Sequence, residues 1–129
     1  MYNMAEVEIS KPGQFSYENR SWIRLLEFFK QENSLLKNRL AEVVDQQADR
    51  DFLALAEQFQ NKFIIKDEFI DELRHDVNIQ LQEIIKTDDS STNQKLIKKQ
   101  GMLRNEMEYF EKEFTSLKNE FNKYLSNYL

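Results

Sequence analysis

Three stretches of the chain place an apolar residue alternately every four and every three positions, and this spacing limits the fold more than any other feature. The longest is Leu96, Gln100, Leu103, Met107, Phe110, Phe114, Leu117, Phe121, Tyr124, Tyr128, with Gln100 its one polar member. A 4-3 step averages 3.5 residues and keeps one seam of an α-helix turned toward partner helices. A sheet needs turns every 8–12 residues or so, made with Gly, Pro or Asn-Gly. The chain has two Gly and one Pro in 129 residues, against roughly fifteen at average usage. An all-α fold of long helices follows, in one domain spanning 17–129 behind an N-terminal tail, 1–16, that holds Pro12-Gly13.

The first helix is expected over about 17–47, with the seam Trp22, Leu26, Phe29, Asn33, Leu36, Leu40, Val43 and with Ser16 or Ser21 as N-cap. Val7, Ile9 and Phe15 are the tail residues suited to docking. The second helix is expected over 50–86, on Phe52, Ala56, Phe59, Phe63, Lys66, Ile70, Leu73, Val77, Gln80 or Leu81, and Ile84. No Gly or Pro separates the two, but their phases do not join. Extending the first seam by heptads leads to Gln47, Arg50, Ala54 and Glu57, two residues out of step with the second. Coiled coils absorb insertions of three or four, not two. A turn therefore belongs at 45–49, with Asp49 as N-cap. The run 87–93, Thr-Asp-Asp-Ser-Ser-Thr-Asn, reads as the second loop, and the third helix as 93–128.

Short connections make successive helices antiparallel neighbours. The expected architecture is an elongated up-down-up three-helix bundle, or antiparallel coiled coil, completed by oligomerisation. Residues 49–87 hold nine acids and five bases, and 93–129 hold five acids and seven bases. Opposite net charge is expected to favour contact between the second and third helices, weakly. Gly101, next to Gln100, is expected to cost about 1 kcal/mol relative to Ala, unless it admits a close backbone or marks a kink.

Composition narrows the function. The net charge of −5 carries no basic stripe, so nucleic acid is not an expected partner. No window approaches the ~20 apolar residues of a membrane span, so no membrane partner is expected either. Absence of Cys removes thiol chemistry and disulfides and fits a reducing compartment. With no signal-peptide pattern at the start, the expected location is cytoplasmic.

Apolar residues exceed what single seams can hold. Ile23, Leu25, Phe28, Leu35 and Val44 flank the first seam; Ile64, Ile65, Phe69, Ile79 and Ile85 flank the second. A helix facing two partners takes a wider stripe, which covers part of the excess. Phe28, Leu35, Ile65, Phe69 and Ile79 are the candidate interface, since an exposed apolar patch marks an interaction site. The function expected on these grounds is a non-enzymatic helical interaction or scaffold protein, binding its own copy or another helical protein, with no cofactor and no catalytic residue.

Polar motifs supply two alternatives. Glu72-Leu73-Arg74-His75 matches the Glu-x-x-His of metal-binding bundles, but Leu73 lies on the seam and turns Glu72 and His75 away from the core. His75, the only histidine, is also a candidate phosphoacceptor. Histidine phosphotransfer domains are helical bundles of about this length with an exposed His, and this chain resembles them in that respect. It departs from them after the histidine, where Val77-Asn78-Ile79-Gln80-Leu81 replaces their Lys-Gly pair. The segment Glu32–Leu40 resembles a leucine zipper, but Tyr17–Trp22 upstream is not a basic region.

Overall fold

The computed structural model describes residues 12–47, 49–87 and 93–128. They form α1 (Pro12–Gln46), α2 (Arg50–Lys86) and α3 (Gln94–Tyr128), with no strand among the described residues. Helices of 35, 37 and 35 residues are about 52–56 Å long at 1.5 Å per residue. The fold is an all-α three-helix bundle.

α1 begins at Pro12, so residues 12–16 belong to the helix and not to a tail. Proline suits a first helical position: its φ is already helical and it lacks an N–H that would have no partner there. Phe15 is buried and Asn19 follows it four residues on, so the 4-3 seam extends a heptad upstream of Trp22. Ser16 and Ser21 are not caps. Both lie inside α1, where their hydroxyls accept from Arg20 Nε and Arg24 Nη2, each at 3.2 Å. Val7 and Ile9 lie outside the described residues.

The α1–α2 break falls where the phase mismatch requires it. Asp49 Oδ1 accepts from the Phe52 N–H at 2.9 Å and caps α2. At the other end of α2, the Thr87 N–H reaches Ile84 O at 3.3 Å and its hydroxyl donates to Glu83 O at 2.8 Å. Asn93 Oδ1 accepts from the Leu96 N–H at 3.1 Å, which caps α3. Each side-chain cap satisfies one backbone donor that the first turn leaves unpaired.

Interhelical pairs fix the topology. Asn19 meets Val77 and Asn33 meets Phe63, so α1 and α2 are antiparallel. Gln80 meets Leu96 while Phe52 stacks on Tyr124 at 4.9 Å, so α2 and α3 are antiparallel too. Glu18–Arg104 and Glu32–Lys118 run in the same sense, which leaves α1 parallel to α3.

The buried positions of α2 are Phe52, Ala56, Phe59, Phe63, Ile70, Leu73, Val77, Gln80, Leu81 and Ile84, its expected seam without Lys66. Lys66 is half-buried with Nζ 5.8 Å from the Phe110 ring centroid, so its stem covers core while its charge faces an aromatic surface. The core has two apolar halves. One centres on Trp22, Leu26, Phe29, Leu103 and Phe110; the other on Phe52, Phe59, Phe63, Phe121 and Tyr124. Leu36 packs against both. Phe121 is fully buried, with ring centroids 5.0 Å from Phe63 and 5.4 Å from Phe59. Each buried ring stabilises the fold by roughly 1.5–3 kcal/mol.

Charge distributes differently from the expected α2–α3 attraction. Among the described residues one ion pair joins α2 to α3, Lys62–Glu120 at 3.8 Å. The shorter pairs involve α1: Arg104 and Lys118 of α3 bind its Glu18 and Glu32, and Asp67 and Asp71 of α2 bind its Lys37 and Lys30.

Candidate interaction surface

Polar side chains that enter the core are engaged with one another across the helices. At the α3 N-terminal end, Gln100 Nε2 donates to Glu18 Oε1 at 2.8 Å and to Asn19 Oδ1. Asn19 Nδ2 donates to Val77 O at 3.2 Å. Gln80 Nε2 donates to Leu96 O at 2.9 Å and to Gln100 Oε1 at 3.2 Å. Arg104 closes the layer with two 2.7 Å bonds to the Glu18 carboxylate, and this bonding raises its pKa above the ordinary arginine value. All three helices contribute to this layer.

A second layer joins α1 to α2. Asn33 Nδ2 donates to Phe63 O and to Asp67 Oδ1, both at 2.8 Å, while Lys37 donates to Asp67 Oδ2. Burial opposes the charge on Asp67. The bonds from Lys37 and Asn33, with the nearby Lys30, together outweigh it and hold the carboxyl below its ordinary pKa of 3.8. Asn33 Oδ1 is buried without a partner. A third contact is the Tyr124 hydroxyl, which donates to Phe52 O at 2.6 Å. These groups do structural work, since a buried polar atom left unpaired costs about 1–3 kcal/mol.

His75 is exposed on α2, between exposed Glu72 and half-buried Asp76. Among the described residues no three His, Asp or Glu side chains gather around a point where a metal ion would sit. Among the described residues, no helix is long and apolar enough to cross a membrane.

Several large apolar side chains are left exposed to water. Phe28 is 54% exposed, Leu35 67%, Ile65 59% and Ile79 50%. Phe69 is half-buried instead, its ring stacked 5.5 Å from Phe110 at the edge of the core. The four exposed residues do not share one face. Ile65 and Ile79 line grooves between α2 and α3. Phe28 and Leu35 stand beside the row that holds Glu32, and Glu32 faces Lys118 of α3. They therefore occupy the α1–α3 side, and α3 separates the two pairs.

Two grooves combine apolar floors with charged rims. Between α1 and α2, Val44, Leu53 and Ile64 line a groove edged by Asp45 and Glu57. Between α2 and α3, Ile79, Leu96 and Met102 line a groove edged by Lys95, Lys98 and Lys99. Met102 and the lysine rim were not expected from the seams. The available signal was Lys95, Lys98 and Lys99 at 3-4 spacing in the first turns of α3, which places them on one flank. In comparisons with known proteins, no family model, curated protein or solved structure matches the chain.

Proposed function

We propose that this chain is a non-enzymatic helical interaction or scaffold protein, acting through apolar side chains exposed along the grooves between its helices. One observation carries this reading. Ile79 on α2 and Met102 on α3, 50% and 48% exposed, converge on a single groove instead of being scattered. Converging exposed apolar groups lower free energy when another surface covers them, at roughly 25 cal/mol per Å². The partner class is a helical protein or a second copy of the chain, in a reducing, cytoplasmic setting consistent with the absence of Cys.

The test uses the full chain and the variants Ile79→Glu and Ile64→Glu. Light scattering after size exclusion reads self-association, and cross-linked capture in the source cell reads other partners. The expected result is that at least one variant loses an assembly or partner that the parent forms. A parent that stays monomeric at tens of micromolar and captures the same proteins as both variants overturns the proposal.

A further inference from the structure

We infer that the lysine-rimmed groove between α2 and α3 is a docking site for an acidic amphipathic helix of a partner protein. The inference rests on the interaction reading above and names the chemistry of one partner.

The groove has the dimensions and surface that such a helix needs. Its α3 wall runs from Lys95 to Met102, about 10 Å or two helical turns. Ile79, Leu96 and Met102 form an apolar floor, with Leu96 only 7% exposed and the other two about half exposed. A helix laid into a groove uses apolar side chains at i, i+3 or i+4, and i+7. Methionine suits the receiving surface because its unbranched side chain adapts to different shapes. Above this floor stand Lys95, Lys98 and Lys99, against Glu83 as the single acid of the lining among the described residues.

Charge then selects the occupant. Desolvating three ammonium groups beneath an uncharged or basic helix is unfavourable, whereas carboxylates along its flanks pair with them. The contrast within the molecule is direct, since the α1–α2 groove at the opposite end is edged by Asp45 and Glu57 with only Lys37 as a cation. A lipid surface fits less well, because the floor is recessed between two helices and a plane of headgroups would meet the rim alone.

The experiment titrates the full chain into two fluorescein-labelled peptides of about five helical turns. Both carry Leu on one face; the other face is Glu in one peptide and Lys in the other. The Glu peptide is expected to bind at least about tenfold more tightly in low salt, with the preference shrinking as salt screens it. The triple variant Lys95→Glu/Lys98→Glu/Lys99→Glu should reverse the preference, and Met102→Glu should weaken binding of the Glu peptide. Far-UV circular dichroism establishes that each variant keeps its helices. Equal binding of the two peptides, no binding, or a preference that survives the triple variant overturns the inference. So does a homodimer of the parent that Ile79→Glu abolishes, which would assign the groove to a second copy. If the peptide preference is absent while Ile64→Glu still loses partners, the interaction reading stands and this inference alone falls.

Discussion

Gly101 offers a direct test of how regular α3 is. It is the eighth residue of a 35-residue helix, so its amide lies beyond the frayed first turn. Its φ is not positive, and a Cβ built on its backbone meets no atom within 4 Å. Close approach of another backbone, one of the two reasons for a glycine here, is therefore absent. Gly101→Ala adds a methyl group to open space and removes freedom from the unfolded chain. Helix propensity puts the gain at about 1 kcal/mol. For 129 residues, an unfolding entropy of about 270 cal/mol/K turns this into a rise in Tm of about 3–4 °C. Urea denaturation followed by circular dichroism at 222 nm, with a thermal melt alongside, measures both quantities. Gly13→Ala is the control. It stands second in α1 with equally open surroundings, and in a first turn its gain should be only a few tenths of a kcal/mol. A Gly101→Ala protein no more stable than the parent, or less stable, would refute the picture of an undistorted helix with nothing against residue 101.

Two of the perturbed titrations, those of Asp67 and Tyr124, predict opposite limbs of the stability profile. Asp67 is held below the ordinary carboxylate range, so its contribution is complete above its unfolded pKa and is lost as pH falls through the lower folded value. Asp67→Asn should cost about 1 kcal/mol at neutral pH and flatten the acid limb below pH ~4, as read from urea midpoints across that range; an unchanged acid limb would contradict the assignment. Tyr124 is pushed up to about 12 by burial and by nearby Tyr128. Its contribution is complete below the unfolded value of 10.0 and declines as pH rises from there toward 12. Tyr124→Phe removes the hydroxyl bonded to Phe52 O, should cost about 1 kcal/mol at neutral pH, and should lose less stability than the parent between these values. Tyr109→Phe, on an exposed ring, should leave stability at neutral pH unchanged.

The fold was legible because seam burial at heptad spacing outweighs every local preference in this chain. The two-residue phase slip located the α1–α2 turn, and Asp49 caps the helix that follows it. The start of α1 was not legible from Pro12-Gly13, since the same pair opens a helix as readily as it breaks one. The better signal was Phe15 and Asn19, which carry the 4-3 step upstream of Trp22. At the surface, the sequence identified which apolar residues exceed the seams, and Phe28, Leu35, Ile65 and Ile79 are exposed as that excess implies. It did not reveal which of them are neighbours. A helical period states how far a residue lies from its own seam, whereas its groove depends on which side the third helix packs. Phe69 shows the same limit: the position beside the seam becomes core once Phe110 of α3 lies against it.

The polar seam residues explain what apolar periodicity alone leaves open. A heptad pattern tolerates sliding one helix by seven residues, since each apolar residue then meets another. Here such a slide is penalised at both polar layers. Moving α3 by one heptad in one direction would bring Met107 to the place of Gln100, stripping Asn19 and Gln80 of a partner they both use, and in the other would bring the shorter Asn93, which now caps the first turn of α3. Moving α2 by one heptad would bring Gln60 or Arg74 to the place of Asp67, where Lys37 and Asn33 now find a carboxylate. With Arg74 there, two cations would face each other at the edge of the core. Each stranded buried group costs about 1–3 kcal/mol, a large share of a domain stability of about 5–15 kcal/mol. The register chosen in this way is also what sets Ile79 beside Met102 and the three lysines. The lysine-rimmed groove on the outside is therefore a consequence of the Asn19–Gln100–Gln80 layer within.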